Sequence, residues 1–248
     1  MKTLIAIPCM DTVPVTFMTS MLNLHKSEDT HYGVNANSLI YDSRNTFVVN
    51  AIDKGYDRVL WIDSDMVFKP DMLDRLSSAM TENNLEYVAA LCFKRTLPTA
   101  PVVYSAVRYD VDDDGIIKAG ADIMYDYPQD SLFEVAGTGF GAVLVKTDLM
   151  RRVWDTYGPP FQPMLQMGED LSFCWRVHQL GVKMYCDSRV KVGHSGLLRF
   201  DERLYQELRR HGVFSHGAAD GTGHNTEQQK TEKQNHTDVT ERNTQEKE

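Results

Sequence analysis

No stretch of about 18 apolar residues occurs in this 248-residue chain, so a membrane-spanning helix is not expected. The four cysteines, Cys9, Cys92, Cys174 and Cys186, never stand as CxxC, which removes the spacing of a zinc ribbon or a thiol redox pair. Each lies among apolar residues, as free core cysteines do, and a reduced, cytoplasmic compartment is the expectation. Positive charge is in deficit, with 26 Lys and Arg against 35 Asp and Glu and a net charge of −9. Broad nucleic-acid binding needs a basic surface, so that class of partner is disfavoured. No internal repeat is present. The opening MKTLIAIPCMDT starts like a signal peptide, but Pro8 and Asp11 break its apolar run too early, and it reads as a buried strand. From Ser215 onward there is one Val and no Leu, Ile or aromatic residue, too little apolar surface to fold. Residues 1–214 are therefore expected to form a single domain, and 215–248 a disordered polar tail.

What the chain does have is VLWIDSDMVFKPD, residues Val59 to Asp71. Val59, Leu60, Trp61 and Ile62 read as a strand buried on both faces. Asp63-Ser64-Asp65 follows at once. Unpaired buried charge is costly, so acids in such a place are paired or bound to a metal. In an extended strand, residues two apart point the same way, so Asp63 and Asp65 are expected to reach one pocket. Two convergent carboxylates suit Mg2+ or Mn2+. Open α/β sheets bind ligands at the carboxyl ends of their strands, where this pair lies. The other acid-x-acid triplets, Asp110/Asp112 and Asp112/Asp114, lack an apolar run and stand beside a Gly, as on a solvated turn.

The remainder alternates strand and helix patterns. Strands are expected at Leu4 to Ile7, Val34 to Tyr41, Val59 to Ile62 and Tyr87 to Phe93. Helices are expected from Val15 to Leu24, from a cap at Asp42 or Ser43 to Gly55, and after Pro70 and Asp71. That order implies an α/β fold with a mainly parallel sheet flanked by helices. From Pro98 short strands take over (Val102 to Tyr109, Ile116 to Ala119, Asp122 to Tyr127), a small antiparallel β addition. Leu132 to Ala136 leads into the Gly-rich GTGFGAVLVK, with the strand Ala142 to Val145. Helices from Asp148, from Gly168-Glu169-Asp170 and from Glu202 follow. Extended pieces at Val182 to Cys186 and Val190 to Val192 precede Gly193-His194.

Several residues could carry chemistry. Glu169 and Asp170 at a helix start would serve as dipole-complementing caps, or as a general base over an acceptor hydroxyl. His194 could be a third metal ligand through a neutral imidazole nitrogen. Gly137, Gly139 and Gly141 do not form a dinucleotide fingerprint, because their strand follows rather than precedes them. They would let backbone pass close to a sugar or an acceptor. Arg44 with Asn45, and Lys94 with Arg95, would meet a diphosphate or be surface charge.

The ordered series PCMD, DSRN, LWIDSDMVFKPDML, CFKR, GTGFGAVLVK, MGEDLSFCWRVHQLG and CDSRVKVGHSG resembles a nucleotide-sugar glycosyltransferase of the GT-A (Rossmann-like) fold. It is most similar to family-two-like enzymes of bacteria and phages, over residues 3 to about 200. The resemblance implies that Asp63 and Asp65 are the DXD motif. Asp63, with Ser64, would lie at the nucleoside ribose, and Asp65 would hold Mn2+ or Mg2+ against the diphosphate. It implies that His194 completes the metal site and that Asp170 is the base of an inverting enzyme, supported by Glu169. Pro8, Cys9, Met10 and Asp11 would cradle the nucleotide base. Arg44 and Lys94 would stand beside the nucleotide, and Gly137 to Gly141 by the donor sugar. The implied donor is a UDP-sugar and the implied acceptor a saccharide or other hydroxyl. Three rivals are a sugar nucleotidyltransferase, a glycosyltransferase acting on modified DNA bases, and a non-catalytic binding module with a degenerate site. The first usually carries a basic Gly-rich loop after strand one, where this chain has PCMDTVPV. The second finds some footing in Arg199, Arg203, Arg209 and Arg210.

Overall fold

The computed structural model describes residues 1–111, 114–196 and 200–212. Its elements run β1 (Thr3–Cys9), α1 (Val15–Asn23), β2 (Thr30–Ala36), α2 (Ile40–Asp53), β3 (Arg58–Ile62), β4 (Met66–Val67), α3 (Met72–Glu82) and β5 (Tyr87–Leu91). Then come β6 (Val103–Val111), β7 (Ile117–Ile123), β8 (Leu132–Val135), β9 (Gly137–Thr138), β10 (Ala142–Lys146) and α4 (Thr147–Tyr157). The described part closes with α5 (Glu169–Gln179), β11 (Met184–Lys191), β12 (Gly193–His194) and α6 (Glu202–Arg210).

Seven strands form the main sheet in the order β2-β1-β3-β10-β5-β11-β8. β1 runs parallel to β2 and β3, and β11 parallel to β5, whereas β10 and β8 run against their neighbours. The sheet is thus mainly parallel, as the alternating pattern requires. Its strands feed two cores. On β3, Val59 and Trp61 pack into one, with Phe47 and Val48 of α2, Leu149 of α4 and Phe173 of α5. Leu60 and Ile62 pack into the other, with Phe17 of α1 and Leu73 and Leu76 of α3. Alternate side chains of a strand point to opposite faces, so a strand covered on both sides must be apolar throughout. This is why β3 reads as an unbroken apolar run. β7, β6 and β9 make the separate antiparallel sheet.

Four boundaries differ from expectation. β2 lies earlier than Val34 to Tyr41, because its parallel register pairs Thr3 with Thr30 and Cys9 with Ala36. Asn37 then turns the chain with a positive φ of 58°, and α2 starts at Ile40 without a side-chain cap. Asp42 therefore falls inside the first turn, and Ser43 is buried. Ile116 to Ala119 and the start of Asp122 to Tyr127 merge into β7, held continuous by β6. The pieces around Cys186 and Val190 merge into β11, with a register shift between Asp187 and Lys191. Asp112, Arg199 and the expected tail, 215–248, lie outside the described residues.

Candidate functional site

The acids after β3 do not continue the strand. The Asp63 amide donates to the Gly141 carbonyl at 3.1 Å, and the Met66 amide donates back to the Asp63 carbonyl at 3.2 Å. Asp63-Ser64-Asp65-Met66 is therefore a turn. The strand rule that would aim both carboxylates into one pocket does not apply, and the two side chains part company. Gly141 packs closely against this turn. A Cβ there would fall 2.3 Å from the Met66 methyl.

Asp63 turns toward α2. Arg44 Nη2 donates to its Oδ1 at 2.8 Å, while Arg44 Nε lies 3.5 Å from Glu169 Oε1. Arg44 thus ties the DSD turn to the start of α5. Its side chain is only 2% exposed. The guanidinium carbon lies 5.2 Å from the Phe140 ring centre and 5.8 Å from those of Trp61 and Phe161, within cation–π range. Burial pushes the Asp63 carboxyl above its ordinary value, and the Arg44 charge pulls against that shift. Arg44 is accordingly not presented to solvent as a ligand-binding cation. It is an internal tie that keeps two acidic elements together.

Asp65 turns the other way. β4 pairs with β12 so that His194 stands opposite Met66, and the Ser195 amide donates to the Asp65 carbonyl at 2.6 Å. This two-strand ribbon brings a distant imidazole to the acid. His194 Nε2 lies 3.8 Å from Asp65 Oδ1, while Nδ1 bonds the Phe93 carbonyl. A carbonyl only accepts, so Nδ1 carries a proton, and in the neutral ring this leaves Nε2 as the nitrogen with a lone pair. On the far side, Arg95 Nη1 donates to Asp65 Oδ2 at 2.6 Å. Arg95 was legible in the sequence only as one half of a basic pair. Its engagement with Asp65 needs the fold to be seen.

Does this donor set fit a divalent cation? Among the described residues no three His, Cys, Asp or Glu side chains are grouped to hold a metal ion. The expected trio of Asp63, Asp65 and His194 is thus reduced to a pair, because Asp63 is committed to Arg44. The pair itself is suitable. A ligating His commonly gives its other N–H to a backbone carbonyl, as His194 does. Mg2+ sites often use one or two carboxylates and complete their shell with water and substrate phosphate.

Asp170 lies at the start of α5, beside glycines that leave it room. A Cβ at Gly168 would come 3.2 Å from Asp170 Oδ1, and one at Gly139 3.8 Å from Oδ2. The Leu171 amide donates to Asp170 Oδ1 at 2.7 Å. Burial, then the neighbouring Glu169 charge, push the Asp170 carboxyl up to about 6. Burial, then the Asp170 charge, push the Tyr104 phenol up to about 12. Nothing in the sequence singles out Tyr104 as a neighbour of Asp170.

The remaining expected residues separate. Pro8 and Cys9 end β1 and Met10 and Asp11 follow it; β1 pairs with β3, so the four lie at the end of the sheet from which the DSD turn projects. Pro8 is buried, and Met10 and Asp11 are exposed. Ser64 is half-buried within the turn, and Lys94 is half-buried beside Arg95. Gly139 lies beside Asp170, whereas Gly137 serves packing. A Cβ on Gly137 would come 2.9 Å from Val107 and 3.1 Å from the Cys174 Cβ. All four cysteines are unpaired. Of the suggested basic patch, Arg209 pairs with Asp126 and Arg210 with Glu207, so much of its charge is already neutralised. No described helix is long and apolar enough to cross a membrane.

No family model matches the chain, and no curated protein matches it in sequence. Solved structures do match. The crystal structure of A197 from STIV aligns with a TM-score of 0.58 at 18% identity, covering 90% of this chain and 100% of that one. The crystal structure of GalNAc-T7 with UDP, GalNAc and Mn2+ aligns with a TM-score of 0.53 at 12% identity, covering 79% of this chain and 44% of that one. At such identities the likeness speaks to fold. The described part of the chain has a GT-A glycosyltransferase-like fold: a mostly parallel sheet flanked by helices, with a small antiparallel sheet beside it.

Proposed function

We propose that this protein is a metal-dependent glycosyltransferase that moves a sugar from a nucleoside-diphosphate donor, a UDP-sugar by preference, to an acceptor hydroxyl with inversion. The observation that carries this reading is the Arg44 tie. It links Asp63 of the DSD turn to Glu169, the residue beside Asp170. A donor-side acid and an acceptor-side acid are thereby fixed to one internal cation.

Asp65 and His194 would hold Mn2+ or Mg2+, which when bound supplies positive charge to the diphosphate. Asp170 takes the proton of the attacking hydroxyl on its carboxylate. A carboxyl near 6 is still mostly ionised at neutral pH and is a better base than an ordinary Asp. Glu169 raises the basicity of Asp170 through its own charge, and Arg44 keeps Glu169 in position. Gly139 and Gly168 leave space beside the Asp170 oxygens.

The test is a donor screen read by nucleoside-diphosphate release, with and without Mn2+. Mn2+-dependent release of UDP from a UDP-sugar is expected. Pyrophosphate release from a nucleotide and a sugar phosphate would instead indicate nucleotidyl transfer. Asp170→Asn should retain donor binding and lose transfer by about 10²–10⁴-fold. Full transfer by that variant would remove Asp170 from the role of base.

A further inference from the structure

Asp65 is shared between two different partners. One oxygen, Oδ1, faces Nε2 of His194 across 3.8 Å, and the other, Oδ2, accepts from Arg95 at 2.6 Å. These partners are linked through the backbone, because His194 Nδ1 bonds the carbonyl of Phe93, two residues before Arg95. Any ligand that settles at Asp65 and His194 therefore arrives beside the Arg95 guanidinium.

The ion pair is poised to exchange. The Arg95 side chain is 57% exposed and that of Asp65 24% exposed. Exposed pairs are worth about 0–1 kcal/mol, so parting them costs little. Arg44, only 2% exposed and walled by three aromatic rings, has no such freedom. A guanidinium also matches phosphate better than a lone carboxylate oxygen, since its planar fork donates two parallel hydrogen bonds to two oxygens.

Resting on the glycosyl-transfer reading above, we infer that Arg95 is an exchangeable counter-cation for the diphosphate. In the free protein its guanidinium neutralises Asp65. When a nucleoside diphosphate arrives with its divalent cation, the cation takes over Asp65 and Arg95 moves to the phosphate oxygens. Arg95 thus opposes binding of the bare cation and favours binding of the cation–diphosphate pair. A residue that merely neutralises Asp65 would have no effect on the diphosphate.

Calorimetry on the full chain separates these possibilities, using MnCl2 alone, UDP with saturating Mn2+, and uridine as a phosphate-free control. Arg95→Ala should bind Mn2+ alone up to about fivefold more tightly, because the lost competitor was a weak ion pair. The same variant should bind UDP with Mn2+ about ten- to hundredfold more weakly, with uridine unchanged. Arg95→Lys should recover part of the UDP affinity through its charge. If wild type binds UDP with Mn2+ and Arg95→Ala binds it equally well, the exchange is wrong and the glycosyl-transfer reading stands. If wild type shows no Mn2+-dependent UDP affinity, both fall. Equal melting temperatures of the variants and wild type confirm that folding is not the source of the difference.

Discussion

Two carboxylates in one turn have been handled in opposite ways. Asp63 is met by a cation that came from inside the protein, and Asp65 by a cation at its surface. Arg44 reaches Asp63 from α2, lies under Trp61, Phe140 and Phe161, and also approaches Glu169. Arg95 reaches Asp65 from the loop after β5 and remains largely exposed. A buried guanidinium cannot leave without stranding charge, so the first arrangement is architectural. A solvated one can leave freely, so the second is suited to ligand exchange. The acid-x-acid motif therefore combines a fixed half and a labile half, and the turn geometry is what separates them.

Removing the fixed half should have the largest effect. Arg44→Ala strips the partner from Asp63, whose side chain is 30% exposed, so the expected cost is that of a hydrogen bond between charged groups, about 1.5–3 kcal/mol. Urea unfolding monitored by circular dichroism should show this loss, and donor binding should weaken with it as the turn and α5 lose their tie. A change below about 1 kcal/mol would mean that Arg44 is not architectural.

Next comes Asp65→Ala, which acts on the labile half. Mn2+-dependent UDP binding should drop by about a hundredfold or more, because a ligand is lost rather than a supporting hydrogen bond. Stability should hardly move, since Asp65 engages an exposed cation. Unchanged UDP affinity in calorimetry would contradict the assignment of Asp65 to the cation. The contrast with Arg44→Ala, which changes stability first, is the sharper result.

Asp170 lets the same site be probed by pH. Its carboxyl is raised from 3.8 to about 6, so the folded state holds this proton more tightly than the unfolded chain does. For an acid with a raised value, the contribution to stability declines as pH rises from about 4 to about 6 and is fully unfavourable above that window. Activity should run the other way and climb through about pH 6 as the base ionises. Asp170→Asn should therefore flatten the stability profile between those limits. At neutral pH it should stabilise the fold by about 1–3 kcal/mol while transfer is lost. A stability profile over pH 4–7 that is identical in variant and wild type would show that Asp170 is not strained by burial.

Much of the scaffold was legible because burial on both faces writes itself as continuous apolar residues, as in β3 and β5. The alternation of helix and strand patterns was equally direct. Less legible was the aim of Asp63 and Asp65. Their divergence depends on where β3 stops, and that is set by the Asp63 amide bonding Gly141, the residue just before a strand read much later in the chain. Arg44 was recognised as a basic residue near the site, but its burial was not foreseen. Arg is mostly exposed, and its aromatic cover comes from three separate segments. His194 near Asp65 was expected from the resemblance. What the fold adds is the β4–β12 ribbon that brings it there and the Phe93 carbonyl that fixes its tautomer.

Arg95→Ala should have the smallest effect on stability, within about 1 kcal/mol, since its pair with Asp65 is exposed on the Arg side. Salt provides the decisive comparison. Screening lengths fall to about 10 Å at 0.1 M salt and about 3 Å at 1 M, and solvated pairs are affected far more than buried ones. The small stability difference between wild type and Arg95→Ala should shrink toward zero between 0.05 and 1 M NaCl (about a fourfold to fivefold change in screening length). The large difference between wild type and Arg44→Ala should persist over the same range, because that guanidinium is shielded from mobile ions. Urea melts of the three proteins at both salt concentrations measure this directly. A salt-insensitive Arg95 contribution as large as that of Arg44 would mean that Asp65 is held as rigidly as Asp63. The division of the turn into a fixed and an exchangeable half would then be lost.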